Sequence, residues 1–201
     1  MKRSIVEITK IDADVFSKFD YQFDGTSEFV PPVINNLPKS FNLGVIYGSS
    51  GSGKSTLLEG FGREEEIEWN NNQSVVSHFN DPDDAIERLS AVGLNSIPTW
   101  GKPRKVLSTG EGFRADMARK LKDDAVIDEF TSVVNRETAK SCSVALSKHI
   151  KKKGLKNIVL ATCHDDILEW LNPDWVYNTD TREISRGSLR QPDIHLEILP
   201  C

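Results

Sequence analysis

The segment Gly48-Ser-Ser-Gly-Ser-Gly-Lys-Ser-Thr56 constrains this chain more than any other feature, because of what lies on either side of it. Phe41 to Tyr47 (Phe-Asn-Leu-Gly-Val-Ile-Tyr) is a short apolar run that reads as a buried strand, and Thr56 to Phe61 reads as a helix. A strand, a glycine-rich loop and a helix, with Lys54 and Ser55 completing the spacing Gly-x4-Gly-Lys-Ser, match a phosphate-binding loop. The glycines let successive backbone N–H groups turn inward around phosphate oxygens, and the helix N-terminus adds positive potential. The candidate contacts are Gly48, Ser49, Ser50, Gly51, Ser52, Gly53, Lys54, Ser55 and Thr56. Lys54 is expected to reach the β- and γ-phosphates of ATP, and Ser55 to place its hydroxyl on Mg2+. A flexible Gly/Ser loop without function would leave that lysine and serine spacing unexplained.

The flanking sequence repeats the strand and helix alternation. Residues 3–8, part of 19–30, Ser74 to Phe79, Ala125 to Ile127 and Asn157 to Thr162 read as strands. Pro82 to Val92, opened by Asp-Pro-Asp-Asp, Phe113 to Lys122, and Glu137 to Lys153 with its basic last turn read as helices. This predicts an α/β fold with a mainly parallel sheet flanked by helices and a short antiparallel N-terminal portion. The 201 residues suit one domain, with residues from about 178 as an extension of short strands. No apolar run approaches the ~20 residues that cross a bilayer, and the basic start is not followed by a signal-peptide core. The expectation is a cytoplasmic protein without membrane contact. The cysteines (Cys142, Cys163, Cys201) are odd in number, which suits reduced thiols, with Cys142 and Cys163 read as core residues. A net charge of −5 argues against a surface built wholly for nucleic acid. Two local basic clusters, Lys148/Lys151/Lys152/Lys153/Lys156 and Arg182/Arg186/Arg190, read first as solvated faces.

Val126-Ile127-Asp128-Glu129 supplies the acidic partner of the loop. Asp128, at the end of an apolar strand, is the candidate magnesium ligand through water. Glu129 is then placed to polarise an attacking water.

Further segments carry a family resemblance. Leu107-Ser108-Thr109-Gly110-Glu111, followed by Arg114, resembles the signature motif of ABC-type ATPases, with Thr109 in place of a usual glycine. Glu111 at its last position is more like the chromosome-maintenance and repair branch. Ser108 and Glu111 also form a capping-box pattern, and both readings stand together. Phe79-Asn80-Asp81-Pro82 resembles the Q-loop with Asn80 where glutamine is usual, which makes Asn80 a third candidate near the metal. Asp128 to Asn135 resembles the second acidic motif running into the D-loop, with Phe130 for a common proline and Asn135 for a common aspartate. His164, after the strand Ile158 to Thr162, resembles the switch histidine that contacts the γ-phosphate. Tyr21 or Phe23 takes the place of the adenine-stacking aromatic, or belongs to the core. The resemblance implies an ATP hydrolase with Lys54, Glu129 and His164 as catalytic residues. It also implies a head-to-tail homodimer in which Ser108 and Gly110 serve the partner's nucleotide.

The interval from Asn80 to Ser108 is too short for the helical subdomain with which transporter subunits dock on membrane proteins. It is read as one helix and a loop, and no heptad run suggests a coiled coil. The resemblance therefore narrows to a minimal, soluble ATPase that acts on a partner protein or nucleic acid. A transporter subunit and a nucleic-acid-binding repair-type ATPase are the alternatives. Leu89 to Trp100 and Cys163 to Trp175 resemble small bacterial and phage ABC-type ATPases often fused to a predicted acetyltransferase, which makes such a domain a candidate partner. In those fusions a stretch like Leu189 to Ile198 is the joining segment.

Overall fold

A computed structural model describes residues 2–187. Leu189 to Ile198, with Arg190 and His195, and also Cys201 therefore lie outside the described residues. The chain divides into two compact units, Met1–Val33 and Ile34–Cys201.

In the first unit, strands β1 (Lys2–Ile5) and β2 (Thr26–Phe29) pair antiparallel. Between them runs helix α1 (Lys10–Ser17), which the sequence reading missed. Its start is a capping box: the Thr9 side chain accepts from the Asp12 backbone and the Asp12 carboxylate accepts from the Thr9 N–H. Thr9-x-x-Asp12 was the available signal. Phe19, Tyr21 and Phe23 lie outside any strand, so the strand expected over 19–30 is confined to its end.

The second unit is built on a five-stranded sheet in the order β4-β5-β3-β6-β7. These strands are β3 (Leu43–Tyr47), β4 (Val126–Ile127), β5 (Ile158–Thr162), β6 (Trp175–Asn178) and β7 (Glu183–Arg186). Only the β6–β7 pairing is antiparallel. The result is an α/β fold with a mixed, mainly parallel sheet. Side chains alternate between its two faces, as a period of two requires. Leu43, Val45, Ile127, Ile158, Leu160 and Val176 enter one core; Ile46, Val126, Val159, Ala161, Trp175 and Tyr177 enter the other. Burial on both faces is why these strands read as apolar runs rather than as alternating ones.

The larger core is covered by α3 (Pro82–Ala91), α5 (Thr109–Lys120), α6 (Arg136–Lys153) and α7 (Leu168–Leu171). Helix α2 (Lys54–Leu58) sends Leu58 into the smaller core. The interval before α5 is more structured than the expected single helix and loop. It holds α4 (Ile97–Trp100) and a 3-10 turn at Arg104–Val106. Ser74 to Phe79 is not a strand: Val76–His78 is a 3-10 helix. Serine chemistry explains the difference, because the Ser74 carbonyl accepts from Ser77 N–H and its hydroxyl pairs with Ser77 at 2.7 Å. Cys142 is buried as expected, its thiol pushed up to about 12 by burial, whereas Cys163 is exposed. No helix among the described residues is long and apolar enough to cross a membrane.

The smaller core rests on one close approach. Trp175 is fully buried between Phe41, edge-on at 5.4 Å, and Phe61, stacked at 5.6 Å. Gly44 is its partner across the β3–β6 pair, and a Cβ there would lie 2.1 Å from the indole ring. Gly44→Ala is therefore expected to lower stability by about 1–3 kcal/mol through overpacking. A urea melt of the variant beside the parent checks this, and an unchanged midpoint would contradict it.

Candidate functional site

Parallel pairing fixes where the candidate residues emerge. Tyr47 pairs with Thr162, and Ile127 with Leu160, so β3, β4 and β5 end along the same carboxyl edge of the sheet. Three segments leave that edge: the loop Gly48 to Gly53 after β3, Asp128-Glu129 after β4, and Cys163-His164 after β5. Sheets of this kind bind ligands in the crevice outside the strand carboxyl ends.

The loop's backbone is unusual in the way a cradle requires. Gly48, Gly51 and Gly53 have φ of +150°, +78° and +94°, and only glycine adopts such a series without strain. Gly53 caps α2 at its N-terminus. Lys54 opens the helix, 7% exposed, and its ammonium donates to the carbonyls of Gly48 (3.0 Å) and Ser49 (2.7 Å). Ser50, Gly51 and Ser55 are exposed, with Ser52, Gly53 and Thr56 half-buried. Ser55 and Asp128 line the same open cavity of about 690 Å3, together with Glu59, Arg63 and Glu64. A hydroxyl and a carboxylate are hard oxygen donors that suit a magnesium ion keeping several waters. Among the described residues no group of three His, Cys, Asp or Glu converges as a protein-only metal site. Asn80 sits on the exposed bend before α3, and no described contact brings it to Ser55 or Asp128.

The segment after β4 is strained and tightly held. Glu129 and Thr131 have φ of +52° and +70°, uncommon for any side chain and most of all for a β-branched one. Phe130 N–H donates to the Ala161 carbonyl, and Thr162 Oγ1 donates to the Phe130 carbonyl, so β5 grips this turn. Phe130 is fully buried, which accounts for an aromatic at that position. Asn135 caps α6 by accepting from Thr138 N–H at 2.8 Å. Glu129 is exposed; its N–H donates to the Asp128 carboxylate at 2.8 Å and its own carboxylate accepts from Ser132 Oγ.

His164 is tied to the same turn. Thr131 Oγ1 donates to the Phe130 carbonyl at 2.6 Å, so toward His164 Nδ1, 3.0 Å away, it acts as the acceptor. That assigns the proton of a neutral ring to Nδ1 and leaves Nε2 as an acceptor. Burial, with Arg136 nearby, holds the His164 pKa below its ordinary 6.5.

Ser108 and Gly110 lie at the start of α5. The capping box is fully formed: the Glu111 carboxylate accepts from Ser108 N–H (3.0 Å) and Oγ (2.8 Å), and Glu111 N–H returns to Ser108 Oγ (3.3 Å). These bonds hold the Glu111 pKa below the ordinary carboxylate value. A Cβ on Gly110 would lie 3.2 Å from the Val133 carbonyl, so α5 approaches the segment after Glu129 closely. Arg114 reinforces the helix start through the carbonyls of Gly110 and Gly93. No described contact joins Ser108 or Gly110 to the glycine-rich loop of the same chain. The described contacts of Tyr21 and Phe23 are with Phe16, in an aromatic cluster of the first unit beside an open cavity of about 560 Å3.

Two residues that touch the glycine-rich loop had no sequence signal. Thr179 and Asp180, in the turn between β6 and β7, bond to Ser52 and Ser49. Of the basic cluster on α6, Lys152 and Lys153 pair with Glu87, whose pKa they lower to about 2.

No protein-family model and no curated protein matches the sequence. Among solved structures, the fold is similar to the dimeric post-hydrolysis state of the ATP-binding cassette MJ0796 bound to ADP and Pi, with TM-score 0.52 and 18% identity over 74% of this chain and 86% of that one. It is likewise similar to the dimeric structure of MJ0796 described as a bacterial ABC transporter cassette, with TM-score 0.53 and 17% identity over 71% and 83%. At these identities the likeness concerns architecture: the chain has an α/β fold resembling the P-loop domain of ABC ATPases.

Proposed function

We propose that this chain is a soluble ABC-type ATPase that binds and hydrolyses ATP with Mg2+ in a head-to-tail homodimer and couples this to a partner protein or nucleic acid. The observation that carries the reading is the meeting of Ser55 and Asp128 on one cavity, at the edge where the Lys54 loop and the His164 segment also emerge. The two solved structures it resembles are of a dimeric cassette, one with ADP and Pi. A fused or separate acetyltransferase is one candidate partner.

In this mechanism the loop amides and Lys54 hold the triphosphate and stabilise charge developing on its oxygens. Ser55, and Asp128 through water, would hold magnesium, which when bound would supply neutralisation of the triphosphate charge. Asn80 joins that set after rearrangement of the bend that carries it. Glu129 orients the attacking water. His164 contacts the γ-phosphate. Ser108 and Gly110 complete the site of the second subunit, so each loop is half a site. A transporter subunit is the second reading, favoured only by the description of one similar structure as a transporter cassette.

Lys54→Ala is expected to lower hydrolysis by at least about 100-fold, as for loss of a donor to developing charge. Glu129→Gln is expected to keep Mg-ATP binding, lose about 100-fold or more in rate, and accumulate as a dimer. Light scattering at saturating Mg-ATP reads this; a Glu129→Gln protein that stays monomeric would falsify the paired-site reading.

The His164 geometry adds a titration. Contact with a phosphate oxygen needs a proton on Nε2, so nucleotide is expected to raise the His164 midpoint from below 6.5. Arg136→Ala is expected to raise it in the free protein, because Arg136 is one of the causes that lower it. The fold favours the neutral ring, so its contribution to stability is full above about pH 6.5 and is lost as pH falls through the lower folded value. Imidazole NMR shifts followed against pH, with and without Mg-ATP, decide both points.

A further inference from the structure

The turn between β6 and β7 reaches across to the glycine-rich loop from more than a hundred residues away in sequence, and it does so at both of the loop's limbs. On the first limb, Ser49 N–H donates to Asp180 Oδ2 at 2.8 Å and Ser49 Oγ donates to Asp180 Oδ1 at 2.7 Å. Further along the loop, Ser52 Oγ lies 2.6 Å from Thr179 Oγ1. Thr179 Oγ1 donates in turn to the Tyr47 carbonyl at 3.1 Å, and Thr179 N–H donates to the same oxygen at 2.9 Å. The Thr179 hydroxyl hydrogen is thus committed to Tyr47, which makes Ser52 the donor of the Ser52–Thr179 bond.

The turn is itself held in shape. Asn178 Oδ1 accepts from Asp180 N–H (2.8 Å) and from Thr181 N–H (3.2 Å), so the residues that touch the loop sit on a locally closed Asx turn. The approach leaves no spare room. A Cβ on Gly48 would stand 2.0 Å from Thr179 Oγ1, so the glycine that begins the loop serves this packing as well as its own φ of +150°.

Charge explains why a carboxylate is tolerated here. The two Ser49 bonds, with the Lys54 ammonium nearby, hold the Asp180 pKa below the ordinary carboxylate value. Its negative charge is taken up by the Ser49 amide and hydroxyl on one limb of the loop. Lys54 Nζ binds the carbonyls of Gly48 and Ser49 on that limb as well. The loop is therefore clamped by side chains both within it and beyond it.

We infer that Thr179 and Asp180 are positioning residues that hold the phosphate loop in its anion-cradling shape before any ligand arrives. A cradle formed in advance binds more tightly because the ordering cost is not met at binding. This deepens the ATPase reading and rests on it for the identity of the anion, though the shaping of the loop is measurable without nucleotide.

Two readouts test it together: hydrogen exchange of the amides from Ser49 to Gly53 in the ligand-free protein, and equilibrium binding of Mg-ATP. Asp180→Ala is expected to speed exchange at Ser49 and its neighbours and to weaken Mg-ATP about tenfold. Asp180→Asn can accept from Ser49 N–H through its oxygen and donate to Ser49 Oγ through its nitrogen, so it should keep protection and bind within about threefold of the parent. Thr179→Val keeps the packing and removes the hydroxyl, and should speed exchange at Ser52; it serves if Asp180→Ala does not fold. Unchanged protection in both Asp180→Ala and Thr179→Val overturns the positioning role, whatever the parent binds. Lost protection with a parent that fails to bind Mg-ATP overturns the nucleotide reading and leaves the positioning role standing.

Discussion

The in-register parallel pairing of Leu43–Tyr47 with Ile158–Thr162 is the constraint on which the rest of the second unit depends. It puts β5 between β3 and β4, so the ends of three strands stand side by side. A slip of one residue would exchange the faces of β5, sending Leu160 and Val159 each into the wrong core. It would also move His164 away from Thr131 and release the grip of Ala161 and Thr162 on Phe130. Core packing and site geometry are therefore one specification. The apolar side chains that fix the register also fix where the polar ones emerge.

That dependence explains what could be read from sequence. The loop at Gly48 to Thr56, the acids after Ile127 and the histidine after Thr162 all follow directly from apolar strands, so local pattern located them. The capping box at Ser108 and the cap at Asp81 are local too, and both are present. What escaped reading is long-range or short. Thr179 and Asp180 touch the loop through chain reversal at β6 and β7, and nothing in Asn178-Thr-Asp-Thr181 announces a partner near residue 50. Gly44 opposite Trp175 is visible only once β3 and β6 are paired. Ser74 to Phe79 has strand-like composition, but its serines close a local turn instead. Cys163 follows a buried strand in sequence, yet it stands one residue beyond the edge and is exposed.

Two of the left-handed side-chain-bearing residues, Glu129 and Thr131, stand where the candidate chemistry is. Glu129 and Thr131 adopt left-handed backbone within a turn whose carbonyls and amides are bonded to β5. Such conformations cost about 1–3 kcal/mol each and persist only where surroundings hold them. Here the holding groups are Ala161 and Thr162 at the end of β5 and His164 in the segment just after it. The glycine-rich loop, by contrast, reaches its own positive φ values without strain because glycine occupies each of those positions.

The close approach of Gly110 to the Val133 carbonyl has a mechanical consequence. With no side chain between them, the start of α5 and the turn that carries Glu129 are separated by little more than van der Waals contact. A shift of the start of α5 toward that turn would therefore meet the Val133 carbonyl at once. If the start of α5 faces a second subunit, each protomer would register its neighbour's arrival at its own Glu129 through backbone contact alone. A bulkier residue at 110 would act as a wedge that pushes the start of α5 away from the Val133 carbonyl.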